Sequence, residues 1–250
     1  MSHDAEYIRR IEQDHEAWKR KPVLRAIYQD LYRRMQAACR PGISLEIGGG
    51  GGNLKEWLPS VVATDIQWAP WLDAVADAQN MPFVDASFDN IILFDVLHHI
   101  PGPHRFFAEA QRVLRPGGRV VMMEPGVTPV SWVMMNTMHH EPAIMAADPF
   151  RDQEWAAQNN PYAANQAIPS LMFQRHRRRF EAEFPDLRIV SVERLSLFAY
   201  PLSGGFRPWC LLPQSVVGGM LKLEDVLMPV LGPLMAFRLM VVVERRQTGA

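Results

Sequence analysis

Cysteine is nearly absent: Cys39 and Cys210 are the only two in 250 residues. Neither belongs to a Cys-x-x-Cys or Cys/His zinc spacing, so a metal-ribbon fold is excluded and a reducing cytoplasm is the expected setting. A surplus of either charge is missing too. Lys and Arg total 26 against 27 Asp and Glu, so nothing global points to nucleic acid as a partner. Long apolar runs are also lacking. Val226 to Phe237 is too short for a bilayer and is broken by Pro229 and Pro233, and the charged start "MSHDAEYIRRIEQDHEAWKRK" has no signal-peptide core. The expectation is a cytoplasmic protein, at most peripheral to a membrane. Repeats and low-complexity segments are absent apart from one glycine run.

What is present is an alternation of periods. Leu24, Ile27, Leu31 and Met35 recur at helical spacing, with Ile8, Ile11 and Trp18 a looser set before them. "ISLEI", "VVATDI", "NIILFDVL" and "RVVMMEP" read as strands; "NLKEWL" and the segment containing Phe106, Phe107, Ala110 and Val113 read as helices, the latter closed by "RPGG". "WLDAVADAQ" reads as a short helix or loop. Strands alternating with helices predict an α/β fold with a parallel, doubly wound sheet. After Pro125 the pattern loosens into a lid-like insertion over 126–170. "LMFQRHRRRFEAEF" then reads as a helix, "LRIVSVERLSLF" as a strand and "FRLMVVVERR" as a closing strand, with a second, apolar insertion over 199–236. One domain is expected: helices over 1–40, a binding core over 41–125, the lid, and the rest of the sheet over 171–250.

The glycine run lies in "LEIGGGGGNLKEW", between the first strand and a helix. Glycines there let backbone amides approach a ligand closely. A dinucleotide fingerprint, G-x-G-x-x-G, loses its third glycine to Asn53 or Leu54 in either frame, which weakens an NAD(P)-dependent oxidoreductase as the alternative. The pattern Glu46-x-Gly48-x-Gly50-x-Gly52 fits without a gap. Asp65 ends the second strand, "DAQNMPFVDASFDNIILFDVLHHI" follows, and "EAQRVLRPGGRVVMMEP" completes the series.

From Ile43 to Pro125 these four ordered motifs resemble the class I S-adenosylmethionine-dependent methyltransferases, closest to the small-molecule, ubiquinone-biosynthesis-like branch. The resemblance implies a Rossmann-like sheet, mostly parallel with an antiparallel closing strand. It implies S-adenosylmethionine as cofactor and S-adenosylhomocysteine as product. Glycines 48, 50 and 52 would pass along the amino acid and ribose portions, and Asp65 would accept from both ribose hydroxyls. Asp77 and Ala78 would meet the adenine edge, with Ile66 and Met81 on its faces. Glu46 would order the loop or meet the ammonium head. Asp95, inside an apolar run, reads either as a structural hydrogen-bond hub or as part of the pocket, with the pocket favoured.

Methyl transfer from a sulfonium needs alignment and exclusion of water more than acid–base help. Where a proton must leave the acceptor, His99, His140 and Glu124 are the candidate catalytic residues. His98 and His99 follow the fourth strand, and His139 and His140 sit in the lid. Two adjacent pairs lack the i, i+4 spacing of a helical zinc site, so no metal is expected. Arg175 to Arg179 reads as a solvated helix face with Phe173 and Phe180 on its buried side. The apolar insertion and "SWVMMNTM" favour a small or lipid-linked, hydrophobic acceptor. The insertion itself reads as core, homodimer face or membrane contact, the first two favoured. A catalytically silent binding subunit on the same fold is the second alternative.

Overall fold

Helix α1, Pro22–Ala38, forms because Leu24, Ile27, Tyr28, Leu31 and Met35 share one face and a proline occupies its first turn, where no intrahelical N–H bond is lost. Each of those side chains is almost completely buried, a transfer of about 1.5–3 kcal/mol apiece. The computed structural model describes residues 13–153 and 163–247. Ile8, Ile11 and part of the first insertion, 154–162, lie outside the described residues. Residues 13–20 are helical and Trp18 there is buried, in line with a helical segment ahead of α1.

The chain then runs β1 (Ser44–Ile47), α2 (Asn53–Trp57), β2 (Val62–Asp65), β3 (Ala74–Val75), β4 (Phe88–Phe94), α3 (Pro103–Val113) and β5 (Leu114–Pro125). Helix α4 (Pro129–Thr137) belongs to the first insertion. It is followed by α5 (Ile168–Ser170), α6 (Arg177–Glu183), β6 (Leu187–Leu195), α7 (Ala199–Ser203), α8 (Val217–Met235) and β7 (Arg238–Arg245). The sheet order is β3-β2-β1-β4-β5-β7-β6. β7 pairs antiparallel with both β5 and β6, while β1 to β5 are parallel. This is the expected mostly parallel sheet with an antiparallel closing strand.

The two faces of the sheet divide by residue parity. Ile91, Leu93, Val120, Met122, Val241 and Val243 point into a core shared with Phe106, Phe107 and Phe180. Their neighbours Ile92, Val121, Met123, Met240 and Val242 point the other way, against Trp18, Leu24, Ile27 and Leu31 of the N-terminal helices. Because both faces are covered, the strands read as continuous apolar runs rather than alternating ones.

Four local expectations change. "WLDAVADAQ" supplies the edge strand β3, because Asp73 accepts the Ala63 amide at 2.8 Å and the Ala76 amide donates to Asp65 O, continuing the ladder. "RPGG" lies inside β5: Leu114 already pairs with Phe88, and the register jumps to Asn90 opposite Arg119, so the turn is absorbed as a bulge. "LMFQRHRRRFEAEF" is two pieces. The His176 amide reaches back five residues to Leu171 O, a single π-turn, before α6 begins. In α6, Arg177 and Arg179 pair with Glu181 and Glu183 on the solvent side while Phe180 is fully buried. Finally, Pro229 and Pro233 do not break α8, which runs through both. Their i, i+4 spacing puts both on the exposed side of the helix, where the carbonyls left without a donor meet water. No helix of the described residues is long and apolar enough to cross a membrane.

Candidate functional site

β1 delivers the glycine run to the carboxyl edge of the sheet, the place where open α/β sheets bind ligands. Two of the five glycines are fixed by conformation: Gly48 has φ +76° and Gly52 φ +67°. A Cβ on Gly48 would stand 2.3 Å from a Val96 methyl, and one on Gly52 would stand 2.8 Å from the Trp71 indole. Between them the Gly50 amide donates to Asp65 Oδ2 at 3.0 Å, and the Gly50 carbonyl accepts from Trp71 Nε1 at 3.1 Å. Gly49 donates to Thr64 O at 2.8 Å, and its own Cβ would lie 2.9 Å from Glu46 Oε2. A position that the motif leaves variable is therefore closed here by the acidic residue behind it.

Glu46 is buried, and its Oε2 has no hydrogen-bond partner among the described residues. Burial, and after it the neighbouring Asp65, push its carboxyl up to about 8. Asp65 also accepts the Gln67 amide on Oδ1 at 3.0 Å, so its carboxylate braces the turn at both oxygens. Ile66 beside it is 60% exposed, free to cover a flat ligand, whereas Met81 at 3% is packed into the core. Asp77 and buried Ala78 lie in a loop pinned on two sides. Asp77 Oδ1 accepts from the Gln79 amide at 2.8 Å, and Met81 N donates to Glu109 at 2.7 Å. A cradle that excludes side chains, a carboxylate with an unmatched oxygen and a second carboxylate at the next strand end fit a ligand with a cationic head and a diol.

Asp95 takes the structural alternative. It has φ +56°, and its two oxygens meet the guanidinium of Arg238 at 2.7 and 2.9 Å. Arg238 is itself buried, with Phe94 and Tyr200 over its charge at 4.9 and 4.3 Å. The pair ties the end of β4 to the start of β7.

Glu124 is fully buried and both oxygens are engaged. Oε1 accepts from the Val96 and Leu97 amides at 3.0 and 2.7 Å, and Oε2 meets His98 Nδ1 at 2.7 Å. That makes it the anchor of the turn after β4 rather than a free base. Burial alone would lower the His98 imidazole, but its hydrogen bond to Glu124 and the Glu141 carboxylate on its other side outweigh it and raise it to about 10. His99 behaves oppositely: burial, then the neighbouring His98, bring it down to about 4.

The two histidine pairs, separate in sequence, converge on Glu141. Its carboxylate lies 3.7 Å from His98 Nε2, 3.9 Å from His99 Nε2, 3.9 Å from His139 Nδ1 and 3.2 Å from His140 Nε2. Burial opposes ionisation, yet His98 and the other surrounding imidazoles hold the Glu141 carboxyl well below its usual range. His140 is more than half exposed. Sequence reasoning passed over Glu141, Trp71 and Val96. Only Glu141 left a signal, as the acid directly following "HH".

Residues 45–122 match a family model for a methyltransferase domain. A 27-O-demethylrifamycin SV methyltransferase of Amycolatopsis mediterranei is 47% identical over 47 residues, 19% of this chain and 17% of that protein. A ubiquinone/menaquinone biosynthesis C-methyltransferase of Ralstonia pickettii is 32% identical over 111 residues, 36% of this chain and 46% of that one. The chain thus spans less than half the length of these curated relatives. Among solved structures, an S-adenosylmethionine-dependent methyltransferase of Thermotoga maritima, a possible histamine N-methyltransferase, superposes with a TM-score of 0.55 at 15% identity, covering 97% of this chain and 99% of that one. Another from Archaeoglobus fulgidus gives 0.52 at 12% identity, over 89% and 94%. These two share the fold. The family match thus gives the chain a methyltransferase domain at residues 45–122, set in the fold that these two structures share.

Proposed function

We propose that the protein transfers a methyl group from S-adenosylmethionine to a small or lipid-linked, apolar acceptor by in-line displacement. The observation that carries the cofactor half of this reading is the Gly48–Gly52 turn braced by Asp65, with the unpartnered Glu46 oxygen behind it. When bound, the cofactor supplies a methyl group activated by the adjoining sulfonium. Gly48 and Gly52 let the backbone close on the amino acid and ribose portions. Asp65 accepts from the ribose hydroxyls, Glu46 faces the ammonium head, and Asp77 and Ala78 hold the adenine edge against exposed Ile66. The lid keeps water from the reacting centre.

The acceptor half rests on the apolar surface beside this edge. In the lid, Trp132, Val133 and Met138 are exposed. An open pocket there is lined by Val127, Thr128, Pro129, Trp132 and Met145. Helix α8 packs against α4 and turns Leu223, Val226, Val230 and Leu234 outward. These exposed apolar side chains suit a hydrophobic acceptor better than a charged one.

The direct test is transfer of a tritiated methyl group from labelled S-adenosylmethionine to fractionated cell extracts. Label in the organic phase is expected. Label confined to polar solutes would overturn the apolar acceptor, and stable cofactor binding with no transfer in any fraction would favour a silent subunit. Calorimetry separates the oxidoreductase alternative: adenosylhomocysteine is expected to bind, and a preference for NAD sinks the cofactor assignment.

A proton count follows from Glu46. With its folded value raised to about 8, the carboxyl is mostly protonated at pH 7 and must ionise to meet an ammonium group. Binding of adenosylhomocysteine at pH 7 is expected to release close to one proton, seen as different apparent enthalpies in phosphate and Tris buffers. Glu46→Gln is expected to erase that difference. In the ligand-free protein the sign runs the other way: the raised value favours folding below the ordinary carboxyl range, and this contribution is lost as pH rises through about 8.

A further inference from the structure

The geometry points to a divalent transition-metal site of the zinc class, formed by His98, His99 and Glu141, that fastens the lid to the core; we infer this from the placement of the ligand atoms, independently of the methyl-transfer reading. One ligand atom from each of the three residues lies within 4.8 Å of the other two. His98 Nε2 and His99 Nε2 stand 3.7 and 3.9 Å from the Glu141 carboxylate. Zinc bonds of about 2.0–2.2 Å arranged tetrahedrally place neighbouring donors about 3.3–3.5 Å apart; the two histidine-to-carboxylate separations, which reach different oxygens of Glu141, exceed that by a few tenths of an ångström, and the two imidazoles lie within 4.8 Å of each other. Two imidazoles and a carboxylate also leave an open position for a further ligand.

The surroundings are those of a built site. His98 Nδ1 is held by Glu124 at 2.7 Å, and Glu124 is itself fixed by two backbone amides. A carboxylate that orients a histidine by one nitrogen turns the other toward a metal and sets its tautomer. Glu124 and Glu141 flank His98 from its two ring nitrogens, and His98 and Glu124 have almost no solvent contact. His139 and His140 form a second set around the same carboxylate, placing a spare pair of imidazoles at the lid side. His98 and His99 come from the turn after β4 and Glu141 from the segment after α4. An ion bound there spans the two by coordination.

The test uses the full chain without a histidine tag, stripped with chelator and titrated with Zn²⁺ and Co²⁺. One equivalent of zinc is expected by mass spectrometry of the dialysed protein, a rise in Tm on zinc addition, and a cobalt visible spectrum of a low-symmetry nitrogen–oxygen site. Glu141→Gln, which keeps the side-chain volume, is expected to weaken zinc binding at least ~100-fold with an unchanged far-UV spectrum. Glu124→Gln is expected to weaken it ~10- to 100-fold, the range for a partner that orients a ligand. His176→Asn, outside the cluster, is expected to leave affinity unaltered. No uptake of either metal, or uptake indifferent to both Glu141→Gln and His98→Asn, overturns the inference.

Discussion

Asp65→Ala is expected to lower adenosylhomocysteine affinity roughly hundredfold or more while the protein stays folded. The carboxylate is placed at the end of β2, where its two oxygens already hold the Gly50 and Gln67 amides. Hydrogen bonds to a charged group contribute about 1.5–3 kcal/mol each. Losing two costs about 3 kcal/mol at the lower end, and each 1.4 kcal/mol is about tenfold in binding. Asp65→Asn, with one acceptor oxygen instead of two, is expected to fall between. Gly52→Val should match the alanine variant for a different reason, since φ +67° and the Trp71 ring 2.8 Å away leave no room for a side chain. Isothermal titration of each variant, with circular dichroism to confirm folding, decides it. Undiminished affinity in folded Asp65→Ala removes that residue from the ribose role.

Glu124→Ala is expected to be the more damaging change to the fold, by about 3–5 kcal/mol in urea denaturation at pH 7. The side chain has no solvent exposure and satisfies the Val96 and Leu97 amides and the His98 ring together. Truncation strands the buried Leu97 N–H and the half-buried Val96 N–H and leaves His98 facing Glu141 without its second carboxylate. Each stranded donor costs about 1–3 kcal/mol. Glu124→Gln keeps one carbonyl oxygen for the amides and is expected to recover more than half of the loss. A cost below about 1 kcal/mol for the alanine variant would show that water replaces the carboxylate, against its role as anchor of this turn.

The sheet and its cofactor edge were legible because they rest on short-range rules. Apolar runs of four to eight residues bounded by glycine and proline give strands covered on both faces, and Ile91–Leu93, Val120–Met123 and Val241–Val243 behave so. The same reading placed Glu46, the glycines and Asp65 at consecutive strand ends. It misjudged elements whose form depends on a partner. Ala74–Val75 becomes a strand only because β2 offers an open edge. "RPGG" extends a strand only because Leu114 finds Phe88 across the sheet. Pro229 and Pro233 are tolerated because both fall on the outer side of α8.

By itself, then, the sequence determined the α/β class, the alternation of strands and helices in the binding half and the residues that stand at its first two strand ends, since periodicity and glycine spacing are local properties of the chain. Tertiary structure alone decided which charges meet. Asp95 was open between pocket and hub until Arg238, 143 residues away, closed on it. Two histidine pairs 40 residues apart became one cluster only when the segment after α4 brought Glu141 between them. Ion pairs and ligand sets depend on distances through space of a few ångströms, and no spacing along the chain encodes those until the fold has brought its segments together.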